Sequence, residues 1–269
     1  MTTPAIQTLD KLFDAEKKAF KYARRVETQY AVALRSLASQ IGAIVRHYHD
    51  ETALGAAYIR AHLSRYADLI DPWAHSVAHK MVSETAARDR AQWVRISSSM
   101  RRNLIQQIDK APIGPAFSEL MQQQVGLIKS LPLDAAQDVQ DMMIQNLSNG
   151  ARPAGNVPQI ADLLRTRNEG FANEVEDKVR NRANLIARTE STRAATTLLQ
   201  ARSEYIVADQ YIWHTSHDAD VREDHRILDG KAFYWRDPPI ADRRSGTRAN
   251  PGCIWCCRCW AEPIIADVQ

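Results

Sequence analysis

A hydrophobic stripe near the N-terminus restricts the fold more than any other feature of this sequence. Leu9, Phe13, Phe20, Ala23, Tyr30, Leu34, Leu37, Ile41, Ile44 and Tyr48 follow steps of three and four, with gaps at Glu16 and Glu27. That spacing lines one face of an α-helix opened by Pro4, about 40 residues and roughly 60 Å long at 1.5 Å per residue. Leu12, Ala19, Val26 and Ala33 add a second stripe that widens the apolar face. A helix this long cannot cover its own apolar side, so it packs on neighbours in the chain or on a partner.

Further helices follow from punctuation. Asp71-Pro72 reads as an N-cap with proline at the first helical position. A helix is expected from there through Trp73, Val77, Met81, Trp93, Ile96, Met100 and Ile108, ending before Pro112. Pro115, Pro132 and Asn149-Gly150 predict shorter helices at 116–130 and 134–148. Gly150-Ala151-Arg152-Pro153-Ala154-Gly155-Asn156 has the composition of a linker. Pro158 starts a short helix, and a longer one is expected from about Phe171 to Ala208. Aromatic residues make up only 7% of the chain, and Ala, Arg and Gln recur, which also favours helices over sheets.

Beyond residue 209 the character changes. Residues 211–263 are rich in Trp, His, Pro, Asp and Gly, and Tyr211–Trp213, Ala232–Trp235 and Ala261–Ile265 read as strands. The expected architecture is mainly α. A long-helix N-terminal region (1–150) precedes a small α+β C-terminal domain (151–269), whose helices span 158–208 and whose α+β part spans 209–269.

Charge excludes little. The net charge is +3, and residues 1–110 carry 17 Lys/Arg against 11 Asp/Glu. The excess lies on the N-terminal helices, facing solvent, an acidic partner or DNA. No apolar run approaches bilayer length, and Met1–Lys11 lacks the pattern of a secretory leader, so folding in a reducing cytoplasm is expected.

All four cysteines fall between Cys253 and Cys259. Disulfides are disfavoured in that compartment, and a metal site comes first. Zinc takes four soft or borderline ligands in a tetrahedron, and Cys253, Cys257 and Cys259 could supply three from one loop. Cys256 adjoins Cys257, so the two do not suit one ion, and His225 is the leading fourth ligand. The other reading is a set of free buried thiols.

Asp218, Asp220, Arg222, Asp224 and His225 crowd together just after His214 and His217. One reading is a polar turn, with Asp218 capping a short helix and Arg222 paired to a carboxylate. The other is a metal-dependent nuclease centre. Arg236, Arg243, Arg244 and Arg248 lie in a loop between Trp235 and Pro251, as an exposed loop or as phosphate contacts.

Ordered along the chain, these residues form a specific pattern. Ile186-Ala187-Arg188-Thr189-Glu190 on a helix is followed by Trp213, and Asp218 leads through Arg222 and His225 to Asp229-Gly230-Lys231. Pro251-Gly252-Cys253 and Cys257-Arg258-Cys259 close it. Residues 185–265 thereby resemble the C-terminal domain of the phage Mu F-like minor head proteins, with Cys256 as a departure. The resemblance implies a non-enzymatic virion component made in the host cytoplasm and placed at the portal vertex or inside the head. Its implied partners are the portal protein, the major capsid protein and packaged DNA, with neither a membrane nor a small-molecule substrate. Arg188 and Glu190 read as pins between the helix and the strands, and Asp229-Gly230 as a turn. A transferase acting on ADP-ribose is disfavoured, since no Glu-x-Glu follows Arg188.

Overall fold

The computed structural model describes residues 4–49, 52–99, 104–148 and 157–265. Seven helices are found there: α1 (Pro4–Tyr48), α2 (Ala53–Leu69), α3 (Asp71–Ser99), α4 (Ile105–Lys110), α5 (Gly114–Ser148), α6 (Val157–Tyr205) and α7 (Glu223–Arg226). The strands are β1 (Gln210–His214), β2 (Ala232–Tyr234), β3 (Ile240–Asp242), β4 (Thr247–Arg248) and β5 (Trp260–Ile264). The protein is mainly α, with long helices first and a small region of short antiparallel strands last.

The long N-terminal helix is present as α1, and Val26, Tyr30, Leu34, Leu37, Ile41 and Val45 are buried along it. The buried stripe turns toward Val45 and His49 rather than Ile44, because the helix repeats at 3.6 residues. The part of the stripe at Leu9, Phe13, Phe20 and Ala23 lies outside the described side chains.

Two expected breaks do not occur. Pro132 sits inside α5, which runs unbroken for 35 residues. An interior proline costs ~3 kcal/mol, and here Ile128, Leu131, Ala135, Ala136 and Val139 are buried around it and offset that cost. Likewise α6 is one helix of 49 residues rather than a short helix and a long one. In the other direction, α3 ends at Ser99 and α4 is separate, where one helix was expected through Ile108. The Gly150–Asn156 linker lies outside the described residues.

The chain divides into two compact units, each drawn from separated segments. One comprises Met1–Gln29, His79–Met121 and Ala187–Gln269; the other comprises Tyr30–Ala78 and Gln122–Ile186. The second is helical, with Ile59, Leu63, Ala67 and Ala74 buried from α2 and the start of α3. In it, Lys129 Nζ contacts Asp71 Oδ1 at 2.7 Å, and Tyr30 donates its hydroxyl proton to Gln124 Oε1 at 3.0 Å.

The first unit contains all the strands. A three-stranded antiparallel sheet runs β2-β1-β5, with Trp213 opposite Ala261 and His214 opposite Trp260. β3 and β4 pair separately. Alternation on β1 and β5 buries Tyr211, Trp213 and Ala261 on one face, as period-2 strands do. These residues join Trp93, Leu104, Ile108, Leu199, Trp235, Cys257 and Cys259 in one core. The Trp235 indole donates to the Ala208 carbonyl at 3.0 Å, so its polar edge is satisfied inside that core.

Candidate metal centre

Two backbone devices bring the cysteine loop against His225. The loop from Pro251 to Arg258 turns back at Gly252 (φ +81°) and at Cys256 (φ +57°), both in the left-handed region. It is then caught along one face of α6. Thr196 donates its hydroxyl to the Pro251 carbonyl at 2.6 Å, and Arg193 donates to the Cys253 carbonyl at 3.1 Å. The Cys256 amide donates to Thr189 Oγ1 at 3.0 Å. Positions 189, 193 and 196 are spaced four and three apart, so they share a helix face. Glu190 is buried, and its carboxylate lies 3.0 Å from the Arg193 guanidinium.

His225 is presented by α7, a single turn whose N-cap residue is Arg222. Asp218 is not the cap: its carboxylate accepts the Asp220 amide and lies 2.6 Å from the Arg258 guanidinium. Arg222 makes no carboxylate pair among the described residues; its guanidinium donates to the Trp255 carbonyl at 2.8 Å. Asp229 Oδ1 accepts the Thr215 amide at 2.7 Å, and Gly230 (φ +73°) donates to the Trp213 carbonyl at 2.8 Å. The Asp229-Gly230 turn thereby fastens α7 to β1. Trp213 packs edge-on against the His225 ring, centroids 5.4 Å apart.

The outcome is a buried group. His225 Nδ1 lies 3.6 Å from Cys257 Sγ and 3.5 Å from Cys259 Sγ. Among the described residues, His225, Cys257 and Cys259 form the group of His, Cys, Asp or Glu side chains placed to hold a metal ion, all ligand atoms falling within 4.8 Å of one another. With Zn–S about 2.3 Å and Zn–N about 2.05 Å, a tetrahedral zinc sets its sulfur and nitrogen ligands about 3.6 Å apart. The observed separations fit that geometry.

The two thiols differ electrostatically. Cys257 is held down at about 4, because Cys259 donates a hydrogen bond to it and His225 adds a favourable contact, against the opposing effect of burial. Cys259 is pushed up correspondingly, since it keeps the shared proton and is itself buried. Of the two thiols, Cys257 is the one whose surroundings favour the thiolate, the form that binds a metal. Cys253 is pushed up to about 12 by burial, and its thiol faces the Pro251 carbonyl at 3.9 Å. Cys253 lies outside the three-residue group.

The other singled-out residues are distributed around this centre. His214 pairs with Glu262 at 2.7 Å and stacks on Trp260, while exposed His217 lies 3.8 Å from Asp229. Asp220 joins Asp218 on Arg258, and Asp224 accepts the Arg243 amide. Arg236 reaches Glu204, Arg248 reaches Asp237, and Arg244 is exposed. Arg188 lines a cavity and makes no ion pair among the described residues. Arg193 and Thr196 were not singled out from the sequence, and Thr189 entered only as part of the Ile186–Glu190 motif; their four-three spacing was the available signal.

Residues 137–262 match the family model described as Phage Mu protein F like protein. A Haemophilus influenzae protein described as an uncharacterized protein is 28% identical over 197 residues, covering 71% of this chain and 39% of the relative. The chain therefore spans about two fifths of that relative's length. No solved structure matches the chain. Among the described residues, no helix is long and apolar enough to cross a membrane.

Proposed function

We propose that this chain is a minor head protein of a tailed phage, acting in head morphogenesis at the portal or the inner capsid surface and aiding DNA packaging or delivery. The observation that carries this reading is the Mu F-like match over residues 137–262. It spans all of α6, strands β1 to β4, most of β5 and the cysteine loop. Its partners in this proposal are the portal protein and the major capsid protein, and the role is structural rather than catalytic. The virion head is the corresponding location.

The metal in this reading is zinc. His225, Cys257 and Cys259 supply three ligands, and Cys253 is proposed as the fourth, making a closed site that stabilises the fold. The arginines Arg236, Arg243, Arg244 and Arg248 form an accessory phosphate-facing loop.

Co-expression with the portal and major capsid proteins of the same phage, followed by affinity capture of this chain, tests the proposal. Recovery of a stoichiometric complex with either supports it. Well-folded protein that captures neither, and that is missing from purified virions, overturns it.

A further inference from the structure

A second feature of the unit that carries the metal centre has no part in that reading. A cavity of about 670 Å³ opens between α1, α3, α6 and the chain entering β5. That is the size of a pocket for a small ligand. Six arginines and three carboxylates line it.

Three of those charges are already used, and Arg88 is one of them, having an interaction of its own. Asp89 is held by Arg202, and Arg258 by Asp218 and Asp220. Arg24, Arg25, Arg95 and Arg188 make no ion pair among the described residues. Facing them are Glu27 and Glu84, so the cavity keeps a positive balance. The four guanidiniums come from three separate helices. Arg188 belongs to the Ile-Ala-Arg-Thr-Glu motif, in which Thr189 and Glu190 serve the cysteine loop.

We propose that this cavity binds phosphate groups. A guanidinium offers a planar fork of donors that fits two oxygens of one phosphate. A terminal phosphate has three acceptor oxygens and up to two negative charges, and a strand repeats one charge and two free oxygens at every phosphodiester, so either can answer several forks at once, whereas a lone carboxylate has two oxygens and one charge. The chemistry is shared by two sources, a free nucleotide with its phosphate chain and the backbone of a single nucleic-acid strand. The site is independent of the head-assembly reading and distinct from the loop arginines 236–248.

The test uses the full chain with inorganic triphosphate, ATP, a fluorescent twelve-residue oligothymidylate and polyglutamate as probes. Binding of a phosphate probe, weakened at least tenfold in Arg95→Gln/Arg188→Gln at unchanged Tm, supports the site. For the oligonucleotide, the slope of log affinity against log salt should shrink by about 0.7 per arginine removed. Should that double variant not fold, Arg24→Gln/Arg25→Gln, at exposed positions, gives the same reading. Competition by ATP or triphosphate assigns a free nucleotide, and binding of the strand alone assigns its backbone. Three results would overturn the proposal: no phosphate probe binds, polyglutamate binds as tightly, or Arg243→Gln/Arg244→Gln abolishes binding while the cavity variants leave it intact.

Discussion

Arg202 on α6 donates from Nε to Asp89 Oδ2 on α3 at 2.5 Å, with the two side chains only 6% and 4% exposed. A second guanidinium nitrogen of Arg202 donates to the Ile108 carbonyl, so one buried cation ties α3 and α6 to the end of α4. Burial pushes the Asp89 carboxyl up to about 6, against the lowering effect of Arg202.

Removing one partner leaves the other charge buried alone. Asp89→Ala should therefore cost about 3–5 kcal/mol in urea denaturation. The pH dependence has a definite sign. The folded value lies above the ordinary 3.8, so the folded state holds more protons between pH 4 and pH 6, and stability falls as pH rises through that window. The contribution is roughly 3 kcal/mol at 1.36 kcal/mol per pKa unit. The wild type should lose this increment between pH 4 and pH 6 relative to Asp89→Asn, which cancels the other carboxylates. Parallel pH profiles for the two proteins would refute the assignment.

The sequence made some of this legible and hid the rest for a physical reason. Periodicity is local, so α1 and the strands at Tyr211, Ala232 and Ala261 could be read from spacing within a few residues. Pro132 misled because a proline's local cost was weighed without the packing around Ile128 and Leu131 that offsets it. Cys257 and Cys259 with His225 were recognisable as metal-binding types, but their convergence depends on a contact 32 residues apart in sequence. The pairing of Asp89 with Arg202 spans 113 residues, and nothing local announces it.

The metal centre gives a prediction independent of any partner. Protein purified without chelator should carry about one zinc per chain, and Cys257→Ser or His225→Ala should lose it and lower Tm. Cys256→Ser should retain the metal, since Cys256 contributes its backbone amide to Thr189 rather than a ligand. Acid should release the ion, because its ligands bind in their deprotonated forms. Metal-free protein that melts cooperatively at the same temperature, by elemental analysis and calorimetry together, would reduce the group to buried thiols.

Gly252 is the most constrained turn in the loop. At φ +81° a side chain is strained, and a Cβ there would sit 3.1 Å from Thr196 Oγ1 and 3.2 Å from the Cys259 carbonyl oxygen. The strain alone costs about 1–3 kcal/mol, and the contacts add to it. Gly252→Ala should lower Tm, whereas Gly230→Ala, with nothing within 4 Å of its Cβ position, should cost less. Equal losses in the two variants would show that the close approach to α6 carries no weight.

Thr189 offers the sharpest test of how α6 organises the cysteine loop. It is fully buried, and its Oγ1 accepts at 3.0 Å the amide of Cys256, the residue at φ +57°. Thr189→Val keeps the shape and removes the acceptor, leaving a buried amide unanswered at a cost of about 1–3 kcal/mol. Because the freed amide immediately precedes Cys257, the loss should appear in metal affinity as well as in Tm. Thr189→Ser retains the hydroxyl and should restore both in large part. A valine variant that binds zinc as tightly as the wild type, measured by chelator competition, would mean that the loop is held by Arg193 and Thr196 alone and that the Thr189 contact is incidental.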